Sequence, residues 1–401
     1  MNGRETDIAA GRADGPPRDY AGVVLACPVT VPYQKHSTRP AQWWVGKALA
    51  GLATCAGIPH GSFDGLSVAS FSLAPDTTIG LTQHFGLSPR FVDFLPMGGV
   101  AGLVGLRRAA RAVQSGDADI VACIGADTNS PHAFRHSLAN FSRFSQDAVY
   151  PYGGGGPNVS FALIAEGFMA ETGLTRADLG RLAVASRVNA GKNPDALLRQ
   201  PLTIAQYLGA RSIAPPIHLF DCVMPCAGAE AFLVLREATA RAMGLPFVRL
   251  VAAIERHNAF ADAPVMRQGG WVRDRDLLWS MAGVRPGAVD LVQTYDDYPF
   301  ISAMQFRDLG FCGPRELPEF LQAHDFTTEG DLPHNTSGGQ LSAGQAGCAG
   351  GHLGFVEAIR QLTGTAGARQ VRQARRALVS GFGMINFDRG LGSGAAILEA
   401  A

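Results

Sequence analysis

The chain has 401 residues, 47% of them hydrophobic, enough to bury a large core in two or three packed units. Lysine plus arginine equals aspartate plus glutamate at 34 each, so no net field draws it to nucleic acid or to an anionic membrane. Seven scattered cysteines without a secretory leader read as reduced thiols of a cytoplasmic protein, and no apolar run is long enough to span a bilayer.

Residues 1–18 are polar and rich in Gly, Pro and Ala, and read as a flexible tail. Beyond them short apolar runs alternate with alanine-rich stretches, which indicates an α/β fold. Strands are expected at 22–28, 66–71, 120–125, 231–235, 248–254, 289–294, 377–381 and 395–399. Leu103, Leu106, Ala110 and Val113 share one helical face, and Phe355, Ala358, Ile359 and Leu362 another. A glycine-rich opening, an apolar helix and a buried strand follow one another at 97–125 and again from 337, through 364, to the strand at 377–383. Duplication of an α/β half explains this echo, and chance likeness of two such units is the alternative. Residues 128–217 fit neither copy and read as an inserted loop or lid, or as surface loops with a helix or two. The expected division is a tail at 1–18, an N-terminal half at 19–127 plus 218–240, the insertion at 128–217 and a C-terminal half at 247–401.

Glycines ahead of a helix allow close backbone approach, and the helix N-terminus offers free N–H groups to an oxyanion. The competing reading is close packing of two central helices. Phosphate loops are disfavoured, because Gly153 to Gly156 is followed by Pro157 and Asn158, and Gly390 to Gly394 leads into a strand. Both read as turns. His218, Cys222 and Cys226 lack a fourth ligand and are interrupted by Pro225, so no metal site is expected.

Several segments, in order, resemble the thiolase superfamily, especially the branch of sterol carrier protein type thiolases and thiolase-like lyases. HNTSGGQLSAGQAGCAGGHLGFVEAIRQLTGTAG resembles the family's Asn-x-x-Gly-Gly segment, its Gly-His-Pro-x-Gly loop and the following helix. ALVSGFGMINFDRGLGSGAAIL is similar to its closing strand pair, DCVMPCAGAEAFLVL to its Asp-Gly-Ala-Ala strand, and VQTYDDYPF to its His-Asp-x-Phe segment. The resemblance covers nearly the whole chain after the tail and implies a thiolase-like five-layered αβαβα fold built from two similar halves.

The departures fall on the chemistry. The nucleophilic cysteine position holds Gly99, the loop histidine becomes Gln345, and no cysteine lies between Arg376 and Gly394 where the second catalytic one is expected. Thiolysis needs an attacking thiolate and a base. Backbone donors near Gly99 and Gly383 remain to hold a thioester enolate, which is what retro-aldol cleavage of a β-hydroxyacyl thioester requires.

Tyr295 replaces the family's histidine and is the first candidate for proton transfer, against a plain strand-end tyrosine. Asp296 and Asp297 either orient it or cap the helix beginning near Tyr298. Gln345 and Asn335 carry amides able to polarise a thioester carbonyl, while Asn335 also suits the turn beside Gly338 and Gly339. His334 and His352 are the imidazoles nearest this loop in sequence. His352 sits in a helix and either borders the substrate or is satisfied in the core, and Cys348 is either a relocated nucleophile or a small buried thiol.

The leading expectation is an enzyme acting on acyl-coenzyme A thioesters, by cysteine-independent carbon–carbon cleavage or by acyl transfer. Coenzyme A is then part of the substrate, with no tightly bound cofactor. The resemblance also implies a homodimer across the sheet edges of the N-terminal halves and a small OB-fold partner with a zinc ribbon. The alternatives are a catalytically silent subunit that binds acyl-coenzyme A or stabilises an active partner, and a Claisen enzyme using Cys348.

Overall fold

The computed structural model describes residues 19–130, 156–386 and 389–401. The tail expected at 1–18 and most of the glycine run at 153–156 lie outside the described residues.

The N-terminal half comprises β1 (Val23–Gln34), α1 (Ala41–Ala56), β2 (Gly65–Ala69), α2 (Thr78–Phe85), β3 (Phe91–Phe94), α3 (Ala101–Ser115) and β4 (Ile120–Asp127). After it come α4 (Pro157–Thr172), α5 (Arg176–Gly191), α6 (Ile204–Leu208) and a small hairpin of β5 (Ser212–Ala214) and β6 (Ile217–His218). The chain returns to the first half with β7 (Ala227–Arg236) and α7 (Glu237–Ala242). The C-terminal half contains β8 (Phe247–His257), α8 (Trp271–Ala282), β9 (Leu291–Gln293), α9 (Pro299–Asp308) and α10 (Leu317–Ala323). It continues with α11 (Gly339–Ala343), α12 (Gly350–Leu362), β10 (Arg376–Asn386) and β11 (Arg389–Ala400).

The main sheet has nine strands in the order β3-β2-β4-β7-β1-β8-β11-β10-β9. Within the first half, β1 and β7 are antiparallel, β7 and β4 antiparallel, and β4 and β2 parallel. The second half repeats that series as β8 with β11, β11 with β10, and β10 with β9. This is the duplication that the sequence echo suggested, joined where β1 meets β8.

Strand alternation builds the layers. On β4, Val121 and Cys123 face a central core with α3 and α12, whereas Ala122, Ile124 and Ala126 face a core with α1. On β11, Ala396 and Leu398 face the same central core, while Ala395 and Ile397 face an outer core with α8. The central helices approach closely at their N-terminal turns: a side chain on Gly102 would collide with the Gly351 carbonyl. The glycine-rich openings therefore satisfy a packing demand.

The sequence reading missed β3 and the β5–β6 hairpin, both too short to show a period. Between 156 and 218 the described residues form α4, α5, α6 and the β5–β6 hairpin. A capping box in which Thr175 and Asp178 bond each other's backbone starts α5, and Phe161, Ile164, Leu179 and Leu182 pack on Phe300 and Met304 of the C-terminal half.

Candidate active site

The site forms where β9 ends. Thr294 to Asp296 continue beyond the strand without regular secondary structure, the chain bends at Asp297 and Tyr298, and Tyr298 precedes α9. Gln305 of α9 fixes the Tyr295 backbone from both sides: its Oε1 accepts the Tyr295 N–H at 3.2 Å and its Nε2 donates to the Tyr295 carbonyl at 2.8 Å. Ser380 of β10 donates to the same Oε1 at 2.6 Å. The Tyr295 side chain is 7% exposed.

Its ring stands over Gly99. A Cβ on Gly99 would land inside the ring, against Cε2, Cδ2 and Cζ. The space that a nucleophile at position 99 would occupy is thus filled by Tyr295. The strand at Gly383 runs beside this turn, its Cα facing the Met97 carbonyl and the Gly99 amide, where a Cβ would stand 2.7 Å and 3.0 Å from them.

Gln345 arrives from the opposite side. Its N–H donates to the Met224 carbonyl and its carbonyl accepts the Cys226 N–H, each at 2.9 Å, so the loop before β7 holds its backbone. The side-chain Nε2 donates to the Tyr295 hydroxyl at 3.2 Å and to Asp297 Oδ1. An amide nitrogen carries two protons. Both are spent here, so the expectation that Gln345 polarises a thioester carbonyl gives way to a clamp between Tyr295 and Asp297.

Asp296 points elsewhere. Its Oδ1 accepts the Gln340 N–H at 2.8 Å and its Oδ2 the Leu341 N–H at 3.4 Å, which caps α11 rather than the helix after Tyr298. Gly339, at φ +57, is required because a side chain there would strike Asp296 Oδ2. Burial pushes the Asp296 carboxyl up to about 6 against those amide donors. Burial first, and then the Asp296 charge, pushes Asp297 up to about 7, with the Tyr295 hydroxyl pulling it back in part. Tyr295 itself is driven well above the ordinary phenol range by burial and then by Asp297.

The remaining candidates serve the frame. Asn335 Oδ1 accepts the Thr294 N–H at 2.9 Å, tying the glycine turn to the strand end. Gly338 leaves room for Ala190 of α5, and its carbonyl accepts the Ser186 hydroxyl. His352 packs between Gly125 and the Phe232 ring, and burial lowers it to about 4, which leaves a neutral core imidazole. Cys348 is fully buried, and burial together with Asp127 pushes its thiol well above the ordinary value despite the Gly98 amide. A thiolate nucleophile is disfavoured there. His334, also buried, shares a 2.7 Å hydrogen bond with Thr294 Oγ1.

His218 Nδ1 lies 2.8 Å from the Ala210 carbonyl and the Cys222 thiol donates to the His218 carbonyl at 3.5 Å. Among the described residues no group of three or more His, Cys, Asp or Glu is placed to hold a metal ion.

Besides Gln305, two further positions are not legible in the sequence. Asp127, at the end of β4, accepts from Ser70, Ser72 and the Phe71 amide on one side and from the Cys348 amide at 2.8 Å on the other, fastening the Gln345 loop to the N-terminal half. Asn158 of α4 accepts a 2.5 Å hydrogen bond from the Tyr298 hydroxyl. Neither lies in a motif; only the fold brings them to the site.

Residues 254–391 match the family described as thiolase C-terminal domain-like. The chain is 30% identical over 353 residues to the 17-hydroxy-3-oxo-4-pregnene-20-carboxyl-CoA lyase of Mycobacterium tuberculosis, covering 83% of this chain and 89% of that one. It is 29% identical over 354 residues to the steroid side-chain-cleaving aldolase of Thermomonospora curvata, covering 83% and 88%. The solved Ltp2-ChsH2(DUF35) aldolase superposes with a TM-score of 0.82 at 24% identity, covering 94% of this chain and 98% of that chain. With the duplicated strand order, these likenesses show that the chain belongs to the thiolase superfamily, in its branch of thiolase-like lyases.

Proposed function

We propose that this chain cleaves a carbon–carbon bond in a β-hydroxyacyl-coenzyme A thioester by retro-aldol chemistry, without an acyl-enzyme. The observation that carries the reading is the Tyr295 ring seated over Gly99: the fold keeps the site but gives the nucleophile's space to a proton-transfer group. The β-hydroxyl loses its proton towards Tyr295, the bond between the α and β carbons breaks, and the electron pair enters a thioester enolate. Backbone N–H groups at Gly99 and Val100, alongside Gly383, are the donors for that enolate oxygen. Protonation at the α carbon then gives a shortened acyl-coenzyme A and a carbonyl product. Atoms and electrons balance with coenzyme A as part of the substrate.

Two relatives are named for steroid side-chain chemistry, which favours a steroid side-chain thioester as the substrate class. The neighbouring structure pairs an aldolase with a DUF35 protein, and an OB-fold partner with a zinc ribbon is proposed for this chain. A homodimer is proposed across β3, among the described residues the outermost strand on the N-terminal side, whose outer edge can pair with a second copy. No described helix is long and apolar enough to cross a membrane; a cytoplasmic setting is proposed from the reduced thiols.

The test is to incubate the chain, alone and with such a partner, with a steroid β-hydroxyacyl-coenzyme A and to follow ketone and acyl-coenzyme A by mass spectrometry. Tyr295→Phe should lower turnover by about 10²- to 10⁴-fold while leaving thioester affinity intact. Unchanged turnover removes Tyr295 from the mechanism. No cleavage under either condition transfers the case to the silent subunit.

A further inference from the structure

We propose that Asp297 receives, through Tyr295, the proton that leaves the substrate hydroxyl, with the Gln345 amide holding the two side chains in line. This rests on the reading of the chain as a retro-aldol lyase. Asp297 works through Tyr295 and is not itself placed on the substrate.

The geometry comes first. Tyr295 Oη and Asp297 Oδ1 are both bonded to one nitrogen, Gln345 Nε2, and each of the two groups shifts the titration of the other. Asp296, between them in sequence, is turned away and spent on the Gln340 and Leu341 amides. Tyr295 and Asp297 thus meet Gln345 together, while Asp296 meets the start of α11.

The chemistry follows from burial. A buried phenol beside a carboxylate does not stand as a phenolate at neutral pH. Tyr295 can therefore accept a proton only while giving up its own. The receiver must be an acceptor beside the phenol that ionises near neutrality. Asp297 fits. The groups facing it are Tyr295 and Asp296 in its own segment, Tyr298 at the start of α9, Cys222 from the loop before β7, and Gln345. Among the described residues, no lysine, arginine or histidine is among the groups that shift it.

In the forward step the substrate O–H bond breaks towards Tyr295 Oη as the Tyr295 proton moves to Asp297, and the carbon–carbon electron pair passes into the enolate. Run in reverse, the relay delivers that proton for the α carbon. Asp297 ends as it began, and no co-reactant is consumed.

The test uses the protein with its partner, in single turnover. Asp297→Asn keeps an oxygen for the Gln345 amide but removes the proton acceptor, so kcat should fall by about 10²- to 10⁴-fold with KM and thioester affinity unchanged. The wild-type rate should rise with pH through about 7 and then level; that limb should vanish in Asp297→Asn and return in Asp297→Glu. In mixtures of light and heavy water the wild-type rate should bow, as two protons move together. Wild-type kcat in Asp297→Asn, an unaltered limb, or a linear isotope dependence each overturns the relay while leaving the lyase intact. Absence of cleavage by the wild type instead overturns the lyase reading, and the relay with it. Should Asp297→Asn not fold, the wild-type pH limb and isotope curve still decide.

Discussion

Gly99→Ala is the smallest change that tests whether one volume has passed from a nucleophile to Tyr295. The added methyl group would lie within the Tyr295 ring, so the ring must retreat by roughly 1.5 Å to restore van der Waals separation. Overpacking of this kind costs about 1–3 kcal/mol, and the 3.2 Å bond from Gln345 to the hydroxyl would break, adding about 1 kcal/mol. Thermal unfolding should therefore drop by several degrees. Displacement of a reacting group by about 1 Å costs on the order of 10²-fold in rate, so kcat should fall by about that factor. Tyr295→Ala alone leaves a cavity. In the double variant the methyl group and the cavity compensate, and a double-mutant cycle should return a coupling of about 1–3 kcal/mol. Differential scanning fluorimetry and product release by mass spectrometry read the two effects. A Gly99→Ala protein with the wild-type melting temperature and kcat would refute the argument, because the ring could not then occupy that space.

Asp297→Asn should stabilise the protein more at pH 8 than at pH 5, measured by melting temperature. The folded carboxyl is raised to about 7, above its unfolded value, so its ionisation cost is absent below about pH 4 and complete above about pH 7. Incubation of the native protein with an acyl-coenzyme A should leave no acyl mass adduct on Cys348, whose thiol is buried beside Asp127; an adduct lost in Cys348→Ala would revive the Claisen reading. Arg369→Ala should cost about 3–5 kcal/mol in denaturant unfolding. It strands the buried carboxylate of Glu357, which Arg369 meets at 2.9–3.0 Å and which also takes the Thr336 hydroxyl. A loss below about 1 kcal/mol would show that the pair is not the tie it looks to be.

Most of the architecture was legible because it rests on local periodicity. The apolar runs at 120–125, 231–235, 248–254, 377–381 and 395–399 all fall within strands of the main sheet, and the repeated glycine opening, helix and strand correspond to α3 and α12 packed between the two halves. Phe91–Phe94 escaped because four residues at a sheet edge carry no clear alternation. The site was legible in its members and not in their assignments. Tyr295, Asp296, Gln345, Gly99 and Asn335 all lie in one neighbourhood, but the two aspartates have distinct tasks, set by partners on distant segments beyond the end of β9. Asp127 and Gln305 were beyond reach, since each acts across more than one element.

Two of the departures in the sequence, Gly99 and Tyr295, depend on each other in three dimensions. A glycine at position 99 would, by itself, leave an empty pocket beside a strand end, and a buried void costs contacts on every wall. A tyrosine at 295 would, by itself, collide with any side chain at 99. Each makes the other admissible, which couples loss of the covalent route to acquisition of a phenol at the same place. Gln345 completes the exchange. A histidine there would bring a second titrating group against Asp297, whereas an amide offers two fixed protons and takes none. Among the described residues, the phenol is then the group placed to trade a proton with the carboxylate. A site rebuilt in this way loses the ability to form an acyl-enzyme and retains the part of the older chemistry that needs no nucleophile, the stabilisation of a thioester enolate.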